Sequence, residues 1–197
     1  MKRASTKEVL PAIGAAFEGG HFAGRIRIDG TLYAIIVPPK AHSEHAATIW
    51  NASNKRVAGA SSFHDGLANT QAMAKAGSAI AKWALERELY IPARDELELL
   101  YRAFKPSKYL NTSFSGDNPS SEPIGYAYAP KFPAQTTVKE FRGSGTEAFA
   151  ENWYWSSTQY AGYGEYAWCQ GFSHGFQLNR PKSAQLRVRA VRRLPIE

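Results

Sequence analysis

The chain has 197 residues, 44% of them apolar and 21% charged, with a formal net charge of +7 at pH 7. That composition fits one globular domain with a substantial core, excludes a disordered or fibrous chain, and contains no apolar run near the roughly 18 residues that a membrane span needs. The lone Cys169 excludes an intrachain disulfide framework and a paired-cysteine metal site. Met1-Lys-Arg followed by Ser5-Thr-Lys-Glu8 does not read as a signal peptide, so synthesis and retention in cytosol are expected.

In chain order, Ser5 and Glu8 have capping-box spacing, and Val9, Ile13, Ala16 and Phe17 recur near helical period until Gly19-Gly20. This predicts a short amino-terminal helix. His21 to Ile28, Asp29-Gly30 and Thr31 to Val37 predict a β-hairpin, because Asp-Gly between β-forming runs is a strong turn signal. Pro38-Pro39 ends it. Two short strands are expected at Thr48 to Trp50 and Arg56 to Ala60. With Asn69 or Thr70 as cap, Met73, Ala76, Ile80, Trp83 and Ala84 make the apolar stripe of an alanine-rich helix running to about Glu86. Pro92 opens a second helix, in which Leu97, Leu100, Tyr101 and Phe104 fall at i, i+3, i+4 and i+7 before Pro106 stops it. Residues 107–150, rich in Gly, Pro, Ser and Asn, predict long ordered loops with a strand or two.

The last quarter is the most distinctive. Nine aromatic residues lie from Trp153 to Phe176, a density that either fills a core or supplies a contact surface. In an extended Trp153-Tyr-Trp155 the tryptophans point to one side, predicted core, and Tyr154 to the other, predicted rim. Ser156-Ser-Thr158 reads first as hydroxyls that satisfy loop backbone. Tyr160, Tyr163 and Tyr166 recur every third residue across two glycines. This spacing suits a loop displaying tyrosines, in the Tyr/Gly/Ser/Asn vocabulary of paratopes, with loop packing as the competing reading. The net charge favours acidic partners, but its distribution speaks against nucleic acid: Arg187, Arg189, Arg192 and Arg193 alternate partly with Leu186, Val188 and Ala190, as a solvated strand face would.

Taken in order, Tyr90-Ile-Pro-Ala-Arg-Asp-Glu-Leu-Glu-Leu-Leu100, Trp153-Tyr-Trp-Ser-Ser-Thr158, Ala167-Trp168 with Gly175, and Val188-Arg-Ala-Val-Arg192 resemble the C-type-lectin-like domain of the collagen-like-adhesin carboxyl-terminal family. The resemblance covers roughly residues 65–193, and its motifs are specific in combination. With Asp65-Gly-Leu-Ala-Asn-Thr70 and Ser115-Gly-Asp-Asn-Pro119 joined to a short amino-terminal segment, the chain looks most like proteins encoded among the virion genes of tailed phages. The resemblance implies two helices packed on a small, twisted antiparallel sheet, with long loops presenting a binding face. In the related variable proteins of diversity-generating retroelements, that face is built from the segment corresponding to about Tyr160 to Asn179.

Catalytic chemistry finds little purchase. His42 and His45 lie in a polar segment off any predicted helix, and His64 would have to come from elsewhere as a third ligand. Glu96 and Glu98 begin a helix, where acidic residues complement the dipole, and Asp65 has no paired carboxylate. Cys169 and His174 lie on opposite faces of an extended segment. The copper-binding formylglycine-generating relatives need two active-site cysteines, and the sugar-binding triplets of calcium-dependent lectins are absent. Asp117-Asn118-Pro119 and Glu122-Pro123 leave an unrelated calcium site as a minor alternative. The expectation is therefore an α+β protein, with an amino-terminal helix and hairpin over 1–64 and a C-type-lectin-like domain over 65–197. The resemblance implies a non-enzymatic structural or accessory virion component, made in the host cytoplasm, and no catalytic group, metal or cofactor is expected. Its binding residues are Tyr154, Tyr160, Tyr163, Tyr166, Gln170, His174, Gln177 and Asn179. Expected partners are other virion proteins or a bacterial surface receptor, and the chain is expected to form a homo-oligomer without membrane insertion. A glycan-binding adhesin module is the alternative, and an enzyme of unknown substrate the least favoured class.

Overall fold

The computed structural model describes residues 10–112 and 115–196. The chain runs through β1 (Ala16–Phe17), β2 (Gly20–Ile28), β3 (Thr31–Val37), α1 (Lys40–Ser43), β4 (Glu44–Thr48), α2 (Gly66–Lys75), α3 (Ala79–Leu85), α4 (Arg94–Phe104) and β5 (Ser121–Glu122). A 3-10 turn (Lys139–Phe141) precedes β6 (Trp153–Gln159), β7 (Tyr166–Gly171), β8 (Gln177–Pro181), β9 (Leu186–Arg189) and β10 (Arg192–Pro195). The architecture is α+β. One sheet has the order β1-β2-β3-β10, with β5 also on β2, and the other has the order β4-β9-β6-β7-β8.

The hairpin forms where expected. Asp29 and Gly30 both take left-handed φ, 48° and 83°, as a type I′ turn requires. A bulge between Phe22 and Gly24 lets α4 approach the strand: Gly24 has φ +138°, and a Cβ there would meet Leu99 Cδ1 at 2.9 Å. β3 also pairs antiparallel with β10, so the hairpin is sewn to the last strand of the chain.

Two apolar clusters fill the molecule. Ile26, Ile35, Leu97, Leu100, Phe104, Phe141, Phe149, Tyr154 and Phe172 belong to the first, and Trp50, Met73, Ile80, Ala84, Trp155, Cys169 and Val188 to the second. β6 lies between them. Trp153 and Trp155 face the second cluster, as the alternation predicts. Tyr154, expected at the rim, is instead fully buried on the first cluster, against Phe149 and Phe172, with its hydroxyl accepting from Ala150 N at 2.8 Å. Side-chain alternation assigns faces, but here both faces are covered.

Other expectations need correction. The amino-terminal helix falls partly on residues 5–9, outside the described residues. Over 10–17 the chain turns and then pairs, because Gly14 has φ 85° and Phe22 exchanges hydrogen bonds with Gly14 and Ala15. The single helix to Glu86 is two. α2 starts earlier, at an Asp65 cap that accepts from Ala68 N, and ends in a Schellman arrangement: Gly77, at φ 91°, donates to Ala74 O and Ser78 donates to Met73 O. Residues 56–60 form no strand; Val57 N is satisfied by the Gln159 side chain. The arginine cluster is no solvated face. Arg189 is fully buried between Glu44 and Glu147, at 3.2 and 2.7 Å, Arg187 pairs with Glu44 at 2.8 Å and Arg193 with Asp65 at 2.8 Å. Among the described residues, no helix is long and apolar enough to cross a membrane.

Trp155 is fully buried and its indole donates to Thr48 O at 3.0 Å, whereas Trp153 is half-buried. Trp155→Ala is expected to cost about 3 to 5 kcal/mol in denaturant unfolding, and Trp153→Ala clearly less. Equal losses would contradict this difference in burial.

Candidate functional site

β7 and β8 pair in a register that sets Trp168 opposite Asn179 and Gln170 opposite Gln177. Tyr166, Trp168, Gln170, Gln177 and Asn179 thus share one face of the hairpin. The face divides along its length. At its inner end Gln170 is buried, donating to the Tyr128 hydroxyl at 3.1 Å while its carbonyl accepts from Gln177 at 3.4 Å. The Tyr128 hydroxyl in turn donates to Glu98, which is buried and also held by Asn118 at 2.6 Å and Arg102 at 3.2 Å. Burial raises the Glu98 carboxyl above its usual range, with these partners opposing the shift. This end is an internal polar network.

The outer end is an aromatic surface. Tyr166 and Tyr163 rings lie 6.1 Å apart, Tyr163 and Tyr160 6.2 Å, Tyr160 and Trp168 5.5 Å, and Trp168 and Phe63 6.1 Å. The Arg94 guanidinium caps this strip, 4.0 Å over Phe63 and 5.8 Å from Trp168. These spacings are those of favourable aromatic and cation–π contacts. Tyr163 is 63% exposed, far beyond what a packing role needs. The loop that carries it is closed by Tyr160 N on Tyr166 O, at 2.9 Å, and Tyr166 N on Tyr163 O, at 3.1 Å. Tyr163, Glu165, Tyr166 and Asn179 border a cleft of about 300 Å³. Within the strip, the Trp168 indole N–H is buried and has no partner among the described residues.

The start of α4 is held to the strip by backbone chemistry. Thr158 Oγ1 accepts from Arg94 N at 2.9 Å and donates to Ser62 O at 2.8 Å, and Asp95 N donates to Phe63 O at 2.8 Å. Ser156 Oγ donates to Trp168 O at 3.0 Å. Both hydroxyls therefore satisfy backbone, as the sequence predicts. Deeper, the Glu96 carboxylate accepts from Tyr90 OH and Ala93 N, both at 2.7 Å, and from Gly66 N at 3.1 Å. Ala93 has no side-chain acceptor, so only the reciprocal half of a capping box is present.

Of the predicted site residues, Tyr160, Tyr163, Tyr166 and Asn179 come together at the outer end. Gln170 and Gln177 lie in or beside the internal network, Tyr154 is in the core, and His174 lies beyond the other end of β7, stacked on Tyr109 at 5.2 Å. Trp168, Phe63 and Arg94 were missed. Trp168 was within reach, since it sits two residues from Tyr166 and from Gln170 on one extended face. Phe63 and Arg94 join only through long-range packing. Cys169 faces the second apolar cluster, and burial pushes its thiol up to about 12, so it is protonated and remote from His174 chemistry. Glu44 is occupied by arginines, and His45 lies edge-on to Trp83 at 5.5 Å. Comparison with protein-family models finds no match, and no curated protein matches significantly.

Burial pushes Glu96 up to about 7, outweighing the hydrogen bonds from Tyr90 and Ala93 and the nearby Arg193. The folded state therefore holds its proton above the unfolded carboxylate range. Stability from this group is fullest below about pH 4.5 and falls as pH rises to about 7, by up to about 3 kcal/mol. In Glu96→Gln this falling component is expected to vanish from the stability profile between pH 5 and 7. Parallel wild-type and variant profiles over that range would show that Glu96 is ionised in the fold.

Proposed function

We propose that the chain is a non-enzymatic recognition module whose working surface is the aromatic strip Tyr163, Tyr160, Tyr166, Trp168 and Phe63 under Arg94. The observation that carries this reading is the exposed Tyr163 at the mouth of a cleft bordered by Tyr166, Glu165 and Asn179, on a loop anchored to a packed sheet. Rigid aromatics with few rotatable bonds give large contact area at low entropic cost, and a scaffolded loop is where binding residues concentrate. The architecture proposed is C-type-lectin-like, supported by helices packed on twisted sheets with a long loop region between α4 and β6. In keeping with the sequence resemblance, the setting proposed is a tailed-phage particle, with the strip contacting another virion protein or a bacterial surface receptor.

A second reading, a glycan-binding adhesin, is favoured by the polar Glu165 and Asn179 beside two tyrosine rings, the mixture that small-ligand clefts use for orientation and stacking. A competition with free bacterial-surface glycans separates the two.

Tyr163→Ala combined with Tyr166→Ala is expected to leave unfolding unchanged and to weaken attachment to purified particles or host cells by about 2 kcal/mol or more, the loss of a hot spot. Retained attachment in a folded double variant would remove the strip from the function.

A further inference from the structure

At the opposite end of the β7–β8 hairpin, loop residues 105–110 and 130–135 enclose a second cleft of about 380 Å³, within the roughly 300 to 1,000 Å³ of small-molecule sites. It lies beyond Gly171, roughly 20 Å of strand from the tyrosine cleft. Its lining carries Lys105, Lys108 and Lys131 and no carboxylate. Among the described residues, neither Lys108 nor Lys131, both exposed, has an ion-pair partner.

Lys105 is 2% exposed, and among the described residues its ammonium donates only to neutral oxygens: Tyr109 O, Asn111 Oδ1 at 2.8 Å and Pro133 O at 3.3 Å. A buried cation compensated by dipoles alone leaves positive potential at the cleft, which adds to that of the two exposed lysines in attracting an anion. Apart from Gln135, the remaining side chains of the wall are largely apolar. Tyr109, 54% exposed and stacked on His174, and Leu110, 57% exposed, offer flat hydrocarbon and ring surface.

We propose that this cleft binds an acidic saccharide, its carboxylate or phosphate drawn to the lysines and its C–H face packed on Tyr109 and Leu110. A peptide fits worse, because several carbonyls that could pair with its backbone are already engaged. Tyr109 O and Pro133 O are taken by Lys105, Pro130 O by Asn111 N at 2.8 Å, and the prolines have no N–H to offer.

Titration calorimetry of the full chain at low salt tests this with glucuronate, glucose 6-phosphate, inorganic phosphate, glucose and a short oligothymidylate. Glucuronate or glucose 6-phosphate is expected to bind and glucose not to bind, the stronger of the two naming carboxylate or phosphate as the recognised group. Lys108→Glu with Lys131→Glu changes only exposed residues. It is expected to keep the wild-type melting temperature and weaken that binding at least about tenfold. Tyr109→Ala is expected to weaken the sugar acids and spare inorganic phosphate, while Tyr163→Ala with Tyr166→Ala changes neither, which keeps this cleft separate from the tyrosine strip. The proposal is overturned by equal binding of glucose, by undiminished binding in the lysine double variant, by sugar acids binding no tighter than about 10 mM, or by an oligonucleotide that outcompetes them.

Discussion

The Glu96 carboxylate is the junction on which the arrangement depends. One oxygen accepts from Ala93 N and Gly66 N, tying the first turn of α4 to that of α2, and the other accepts from Tyr90 OH. Tyr90 in turn exchanges backbone hydrogen bonds with Val191, both at 2.9 Å, just before β10. One side chain thus links two helices to the segment that sews the two sheets. The cost is a carboxylate in the dry interior, which disfavours the charged form and so raises the pKa of the group. At Gly66 a Cβ would meet Glu96 Oε2 and the backbone of Ala93 and Ile91, so only glycine admits this approach. Because α4 is fixed here, Arg94 two residues earlier is delivered over Phe63 and Trp168.

β6 supplies the second constraint. A strand buried on both faces has no solvent side to absorb error, so the Trp155 and Tyr154 layers must both fit. Its far end then converts from packing to hydrogen bonding: Thr158 holds the α4 amino terminus and Ser62, and Gln159 holds Val57 N and the Lys182 ammonium at 2.7 Å. Loops without regular structure are thereby tied to the strand by hydrogen bonds, and the aromatic strip stands on that base.

The charge of the molecule is sorted by burial. The arginines of β9 are consumed by Glu44 and Glu147 inside the fold, where removal of one partner would strand the others. Much of the remaining positive charge is therefore on exposed lysines. Those beside Tyr109 are gathered by two loops around a cleft whose lining has no carboxylate among the described residues. A basic chain of this kind directs its field outward at particular loops rather than along a helix or strand face.

What the sequence determined by itself was local. Asp29-Gly30 specified the hairpin because both residues tolerate left-handed φ. The Leu97, Leu100, Tyr101, Phe104 spacing specified α4 because one face of a helix repeats at that interval, and Pro106 ended it. The helix break was also written locally, in Gly77, but an alanine-rich stripe running past it concealed the stop. The tyrosine loop was legible only in part, since Tyr163 is exposed whereas Tyr160 and Tyr166 are half-buried. The environment of each face was decided only by tertiary structure. Alternation placed Tyr154 opposite the tryptophans, yet could not say that a second core waited there, nor that Gln170 would be enclosed by Tyr128. Arg189 looked solvent-facing until β4 and the 147 loop closed on it, and Phe63, Arg94 and Trp168 met across more than a hundred residues of chain. Period two or 3.6 reports direction from the backbone, whereas burial depends on what other segments bring to that side.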